Sequence, residues 1–270
     1  MKIQSNFNKA QFQNSMNHMK ATEAVHKKAG KELATGKKVN TAADDAVALA
    51  ISHKLLKEAS SLKTGSSNIS YGKDALNIAD GAMASIADSL GDIEQNTVRA
   101  MNGLYSESDR QILQRANEES VKTINQTINQ AQYNGKNLLD GSNGDFNIHT
   151  GAGSISIKQT DAKSAMSVLE NFDVTGDPNK ITKDALDSAY SSLNAMRSQV
   201  GAQTNGLTAA YNQNENTAEN ITAAQSRKED TEFYDAVTRY KNSGVLGAAQ
   251  NMAMKNQMEN QENLVNKLLQ

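Results

Sequence analysis

The chain has no cysteine and no tryptophan, a single proline (Pro178), and few aromatics of any kind in its 270 residues. Without a thiol, disulfides, zinc–thiolate centres and cysteine nucleophiles are excluded, while the redox compartment is left open. An aromatic fraction of 4% beside a hydrophobic fraction of 37% does not supply a deep core. Nor does it supply the strands rich in valine, isoleucine and aromatics that sandwiches and doubly wound sheets bury. No surplus of one charge exists either: 28 basic residues stand against 30 acidic ones. Nucleic acid is therefore not an expected partner, since phosphate neutralisation needs a basic face. The pairs Lys27-Lys28 and Lys37-Lys38 suit solvated helix ends. No apolar run approaches the roughly 18 residues of a membrane span, so no membrane contact is expected. The stretch from Met1 to Lys20 has no uninterrupted apolar core of the secretory signal type. If the protein leaves the cell, a route other than Sec is expected.

Constellations that carry chemistry are also missing. The histidines, His18, His26, His53 and His149, are dispersed and lie outside any H-E-x-x-H or other ligand spacing. Asp44-Asp45 suits a helix cap better than an acid–base pair, and Glu118-Glu119 suits a solvated helix face. With no G-x-S-x-G, Walker loop or dinucleotide fingerprint, the sequence is read as non-enzymatic, with no catalytic residue, cofactor or metal site.

What the sequence does contain is a heptad repeat. Leu55, Leu62, Ile69, Leu76, Met83 and Leu90 stand seven apart, and a second row, Leu186, Leu193, Val200, Leu207, Asn214 and Ile221, keeps the same step. Such a repeat places its members on one seam of a supercoiled helix. Two rows of matching length predict a long antiparallel pair. A further row, Gly65, Gly72, Ala79, Ile86 and Ile93, follows three positions behind the first, and its small residues, with Gly81, are read as packing sites. The expected fold is mainly α, with long antiparallel coiled-coil helices and a small β-hairpin region.

Along the chain, residues 1 to 34 show a sparse apolar face of Ile3, Phe7, Phe12, Met16, Met19, Val25, Ala29 and Leu33, ended by Gly36. Thr41 and Asp44 predict a capping box and a helix from near Ala42 towards Met101. After Gly103, Ser106 to Asp109 predict the start of another helix carrying Ile112, Leu113, Ala116, Ile124, Ile128 and Ala131. Tyr133-Asn134-Gly135 marks a turn. From Asp145 to Lys158 the apolar period becomes two around Gly151-Ala152-Gly153, a hairpin signal. A second heptad helix follows over roughly 180 to 226. The tail from Glu232 to Gln270 is thinly apolar, with Phe233, Val237, Tyr240, Leu246, Met252, Leu264 and Leu268. Methionines at 16, 19, 252, 254 and 258 suit adaptable faces near both chain ends. Two weakly apolar ends bury too little alone to offset chain entropy, so they are expected to need a partner.

Several blocks, in order, resemble bacterial flagellins. Ala34-Thr35-Gly36-Lys37-Lys38-Val39-Asn40-Thr41-Ala42-Ala43-Asp44-Asp45-Ala46 is similar to the family's S-S-G-x-R-I-N-S-A-x-D-D-A. Asn68, Gly72, Asp80-Gly81-Ala82 and Gln132-Tyr133-Asn134-Gly135 follow, the last like Q-[FY]-N-G. Arg197-Ser198-Gln199-Val200-Gly201-Ala202 with Asn205 resembles R-x-x-[LV]-G-A-x-x-N, Ser226 to Asp230 resembles S-R-I-E-D, and Leu268-Leu269 fits a di-leucine end.

The resemblance implies a subunit that polymerises into the flagellar filament, extracellular and used for motility, exported as an unfolded chain by the flagellar type III apparatus. It implies an inner domain of paired terminal helices (1–40 with 231–270), ordered in the filament, and a long-helix core domain (41–230) with its hairpin near 145–158. Outer variable domains are expected to be absent, because little chain separates Gly135 from the second long helix. Inner-shell assembly residues are expected at Ile3, Phe7, Phe12, Val237, Leu246, Leu264 and Leu268. The implied partners are further copies of itself, an export chaperone, and the cap and hook-junction proteins. Lys38, Lys228 and Gly206 depart from the family's Arg, Ile and Arg. The segment Gly91 to Arg99 stands where many flagellins carry Q-R-V-R-E-L-A-V-Q and dock a Toll-like innate receptor. Asp92 and Glu94 reverse two charges there, Asn96 replaces a leucine, and Ala116 a glutamate, so weak receptor binding is expected.

The nearer alternative is a hook–filament junction protein, whose P-S-D-D-P block is absent. A flagellin with a metallopeptidase insert would need H-E-x-x-H. A secreted coiled-coil effector or adhesin would form a closed oligomer that does not elongate.

Overall fold

The computed structural model describes residues 2–268, with side chains described for residues 10–263 and for Val265. Ile3, Phe7, Leu264 and Leu268 lie outside the described residues as far as their side chains are concerned. The chain is mainly helical, with two small antiparallel sheets. Helix α1 covers Lys2–Thr35, α2 Ala42–Ala100 and α3 Glu107–Gln130. Strands β1 (Gln132–Tyr133), β2 (Lys136–Asn137), β3 (Phe146–His149) and β4 (Ser154–Ile157) follow. A short α4 (Ala162–Met166) precedes α5 (Asp184–Glu229) and α6 (Phe233–Leu268). Among the described residues no helix is long and apolar enough to cross a membrane.

Local chemistry sets the helix ends. Gly36 takes φ +71° and its N–H returns to Glu32 O at 2.8 Å, closing α1 with the left-handed residue that glycine adopts at least cost. The cap of α2 differs from the sequence expectation. Asp44 does bind the Asn40 and Thr41 amides at 3.0 and 2.9 Å, but Asp45 is extended (φ −165°, ψ 101°) and its Oδ1 accepts from Ala48 N at 2.8 Å. Asp45 therefore caps the regular helix, while Thr41 to Asp44 form a separate turn. At α3 the expected cap is present: Ser106 and Asp109 form a reciprocal capping box.

The chain divides into two compact units, Met1–Lys57 with Ile221–Gln270 and Glu58–Asn220, so the division falls inside α2 and α5. The sequence placed it at 40/41 and 230/231. In the first unit α1 and α6 run antiparallel, Glu32 meeting Arg239, His26 meeting Tyr240 and Thr22 lying beside Gly247.

In the second unit α2 and α5 are antiparallel, with Glu94 bonded to Lys183, Asp80 to Arg197 at 2.9 Å, and Lys73 over the Tyr211 ring. Their seam is continuous. Ile69, Leu76, Met83 and Leu90 from α2 and Leu186, Leu193, Val200 and Leu207 from α5 are buried in one cluster with Ile124 and Ile128 of α3. Leu62 is buried, while Leu55 and Ile221, which belong to the first unit, are half-buried. On α3 the inward row is Leu113, Asn117, Ile124 and Ile128, and Ile112 and Ala116 face out. The polar Asn117 takes a seam position because its side-chain carbonyl accepts from Asn96 at 3.0 Å.

Strands β3 and β4 pair Phe146 with Ile157 and Ile148 with Ile155, with an apolar face towards α2. Their turn lands on the helix pair. A Cβ on Gly65 would lie 1.9 Å from Thr150 O, and one on Gly151 (φ +83°) 2.2 Å from Ser61 O. Three successive turn carbonyls find donors there: His149 O from Asn68 at 2.9 Å, Thr150 O from Asn214 at 2.7 Å and Gly151 O from Ser61 at 3.1 Å. The asparagine in the second leucine row is thus the hydrogen-bond partner of a buried carbonyl. Gly81, in contrast, is exposed with nothing within 4 Å of its would-be Cβ, so it is not a packing site.

Candidate assembly interface

The α1–α6 pair is held by small and polar residues. Ala29, Ala236, Ser243, Thr22 and Glu32 are buried, and Gly30 and Gly244 admit the rings of Tyr240 and His26 at close range. The His26 and Tyr240 rings stack at 4.1 Å, and His26 Nδ1 donates to Tyr240 O at 3.1 Å. Glu32 is almost fully covered and receives Arg239 at 2.6 Å. None of these polar residues belongs to the apolar face read from the sequence. Their signal was positional: Thr22, Ala29 and Glu32 fall on one α1 stripe, which a search for large apolar residues passes over.

Because small residues close the seam, the large apolar ones are turned away from it. Val25 is exposed, as are Phe233, Tyr234, Val245, Leu246, Met252 and Met258, whereas Tyr240 stays in the seam against His26. Of the residues expected to assemble, Phe12 and Val237 are half-buried and Leu246 is half-exposed. A pair of helices that hides its small residues and shows its large ones has a face for another chain to cover.

The linkers at the base of this pair are joined. Lys38 N donates to Glu229 O at 2.8 Å, Thr231 N to Gly36 O at 2.9 Å, and Lys37 and Asp230 form a β-bridge. Buried Glu229 takes Lys37 Nζ at 2.5 Å, Ser52 Oγ, and Gln225 at 2.8 Å. The Lys37 ammonium and the Ser52 hydroxyl hold its carboxyl down to about 2. Lys38, which departs from the family's arginine, donates to Arg227 O at 3.0 Å. Among the described residues no cluster of His, Asp and Glu could hold a metal ion.

The expected receptor segment lies on α2 of the second unit. Asp92 is exposed, but Glu94 is bonded to Lys183, whose ammonium that hydrogen bond holds above its ordinary range. Asn96 points at Asn117, and Ala116 is exposed.

The bacterial flagellin N-terminal helical region matches residues 5–144, and the bacterial flagellin C-terminal helical region matches residues 183–268. The chain belongs to the bacterial flagellin family. It is 27% identical over 248 residues to a flagellin of Halalkalibacterium halodurans, covering 90% of this chain and 91% of that protein. It is also 27% identical over 294 residues to a flagellin of Bacillus subtilis, covering 95% and 96%. A protein of Vibrio parahaemolyticus, assigned to the flagellar hook-associated proteins, shares the fold at a TM-score of 0.61 and 16% identity, over 69% of this chain and all of that one. At that identity the likeness concerns the fold alone and does not favour a hook-associated role. Flagellins are structural proteins, and this chain is a structural subunit of the flagellar filament, which lies outside the cell.

Proposed function

We propose that the paired terminal helices are the polymerisation element of this filament subunit and that the long helices carry the shell around it. The observation that supports this is the exposed apolar surface of α1 and α6 at Val25, Val245, Leu246 and Met252, with Phe12 and Val237 half-buried. Ile3, Phe7, Leu264 and Leu268 extend it by sequence pattern and family likeness. Heterologous contacts repeated along an open lattice would bury this surface between many copies, which offsets the entropy of ordering the chain ends. The seam of the second unit, Leu62 to Leu90 with Leu186 to Leu207, serves as the packed core of the long helices, and Leu55 and Ile221 continue both rows by sequence pattern. On this reading the inner domain is 1–40 with 231–270, the core domain is 41–230, and outer domains are absent. Type III export, a chaperone on the terminal helices, and cap and hook-junction proteins at the ends of the polymer follow from the family.

Deleting Glu232 to Gln270 tests the proposal by sedimentation and electron microscopy under assembly-promoting conditions. The full chain is expected to form long filaments and the truncated chain to remain monomeric with its long-helix unit folded. A truncated chain that elongates as the full one does would move the assembly element elsewhere.

A further inference from the structure

The turn between α2 and α3 shows apolar side chains to solvent on well-held backbone. Leu104 is 92% exposed, with Met101, Tyr105 and Ile112 also exposed beside it. Asn102 Oδ1 accepts from Leu104 N at 3.0 Å, Asn102 O from Tyr105 N at 3.1 Å, and Tyr105 O from the Arg110 guanidinium at 2.6 Å. A leucine held this way loses little further freedom when it is buried.

In the same unit an apolar cavity of about 110 Å³ opens between α2 and the strands, walled by Ala75, Ala79, Phe146 and Ile148 with Lys136 and Lys158 among its lining. We propose that Leu104 of one copy inserts into this cavity of a second copy. The proposal rests on the filament reading and names one of its outer contacts.

Three observations carry it. First, an apolar cavity on the order of 150 Å³ holds a benzene-sized group, so a leucine side chain is of the right order for this one. Second, the charges complement each other. The segment Met101 to Asp109 carries Glu107 and Asp109 and no base, whereas the cavity lining carries Lys136 and Lys158 and no acid. Arg99 and Arg110 flank the segment, and Arg110 is turned back onto Tyr105 O. Third, the two features cannot meet within one chain. From Ala75 to Ala100 the helix advances roughly 40 Å at 1.5 Å per residue. A knob that fits a pocket elsewhere on the same molecule makes a heterologous contact, which propagates as an open line of copies instead of closing a dimer. Successive copies would be offset by a distance of that order along α2.

The absence of cysteine makes the test clean. Gly103, with open space around its would-be Cβ, and Lys136 are replaced together as Gly103→Cys and Lys136→Cys, and filaments of the double variant are oxidised. A ladder of covalent oligomers with many rungs is expected, against at most dimers for either single variant. Separately, Leu104→Asp is expected to raise the critical concentration for elongation more than about tenfold while Leu104→Met leaves it near the parent value. Filaments of the double variant without a ladder, or unimpaired elongation of Leu104→Asp, would overturn the contact and leave the filament reading standing. A folded parent chain that stays monomeric under the same conditions would remove the filament reading and the contact with it.

Discussion

Gly65 and Gly81 sit sixteen residues apart on one helix and do opposite things. At Gly65 a backbone carbonyl occupies the place of a side chain; at Gly81 there is open space. Gly65→Ala must push the Thr150 turn away from α2 and strand the carbonyls that Asn68, Asn214 and Ser61 serve. Overpacking of this kind costs about 1–3 kcal/mol, so a clear drop in thermal midpoint is expected by circular dichroism. Gly81→Ala should instead raise stability by up to about 1 kcal/mol, the helix-propensity difference at an exposed site. Equal responses at the two positions would contradict the seating of the hairpin turn. Sequence periodicity identified the helix that carries both glycines, but it could not distinguish a glycine under a carbonyl from one facing water, because that carbonyl lies in a hairpin turn more than eighty residues from Gly65.

Among the elements, the joint between the α1–α2 and α5–α6 linkers is the part most dependent on ionisation. Glu229 titrates near 2 in the folded chain against an ordinary value of 4.5. The sign follows from that depression: the stabilisation is fully present above pH about 4.5 and is lost as pH falls towards 2. Lys37 is partly exposed and its attraction is screened, so the contribution is on the order of 2 kcal/mol. Glu229→Gln is expected to lower stability by that order at neutral pH and to flatten its pH dependence between 4.5 and 2, as read by urea unfolding at a series of pH values. An unchanged acid slope would place the acid-sensitive group elsewhere. Within the family-like S-R-K-E-D block this glutamate was visible as a letter, yet its partners Lys37 and Ser52 lie on the opposite half of the chain.

At the scale of the whole molecule, the segment Gly91 to Arg99, expected from the resemblance to stand where receptor-docking flagellins carry bases, presents the exposed acid Asp92. Glu94 is neutralised by Lys183, so Asp92 and the missing apolar side chain at Asn96 carry the expected loss. Purified monomer is expected to activate a Toll-like receptor reporter weakly. Restoring Asp92→Arg and Asn96→Leu together should raise the response, and full potency of the parent chain would refute the expectation. Charge at a docked face acts on encounter and specificity, which Asp92→Arg addresses, while Asn96→Leu supplies the apolar contact.

Local periodicity determined much of this protein. The seven-residue rows, the change to a period of two at Phe146, and the punctuation at Gly36, Gly103 and Asn134-Gly135 together specified a mainly helical chain with one hairpin, because those signals depend only on neighbours along the chain. Tertiary structure decided which polar residues are core. Asn214, Asn117, Glu32 and Glu229 are buried because a carbonyl, an amide, a guanidinium or an ammonium from a distant segment meets each of them. It also decided that the α1–α6 seam closes on Ala29, Ala236 and Ser243, leaving Val245 and Met252 exposed. Helices approach closest where side chains are smallest, so the seam falls where both partners are small together, and no single helix's sequence contains that coincidence.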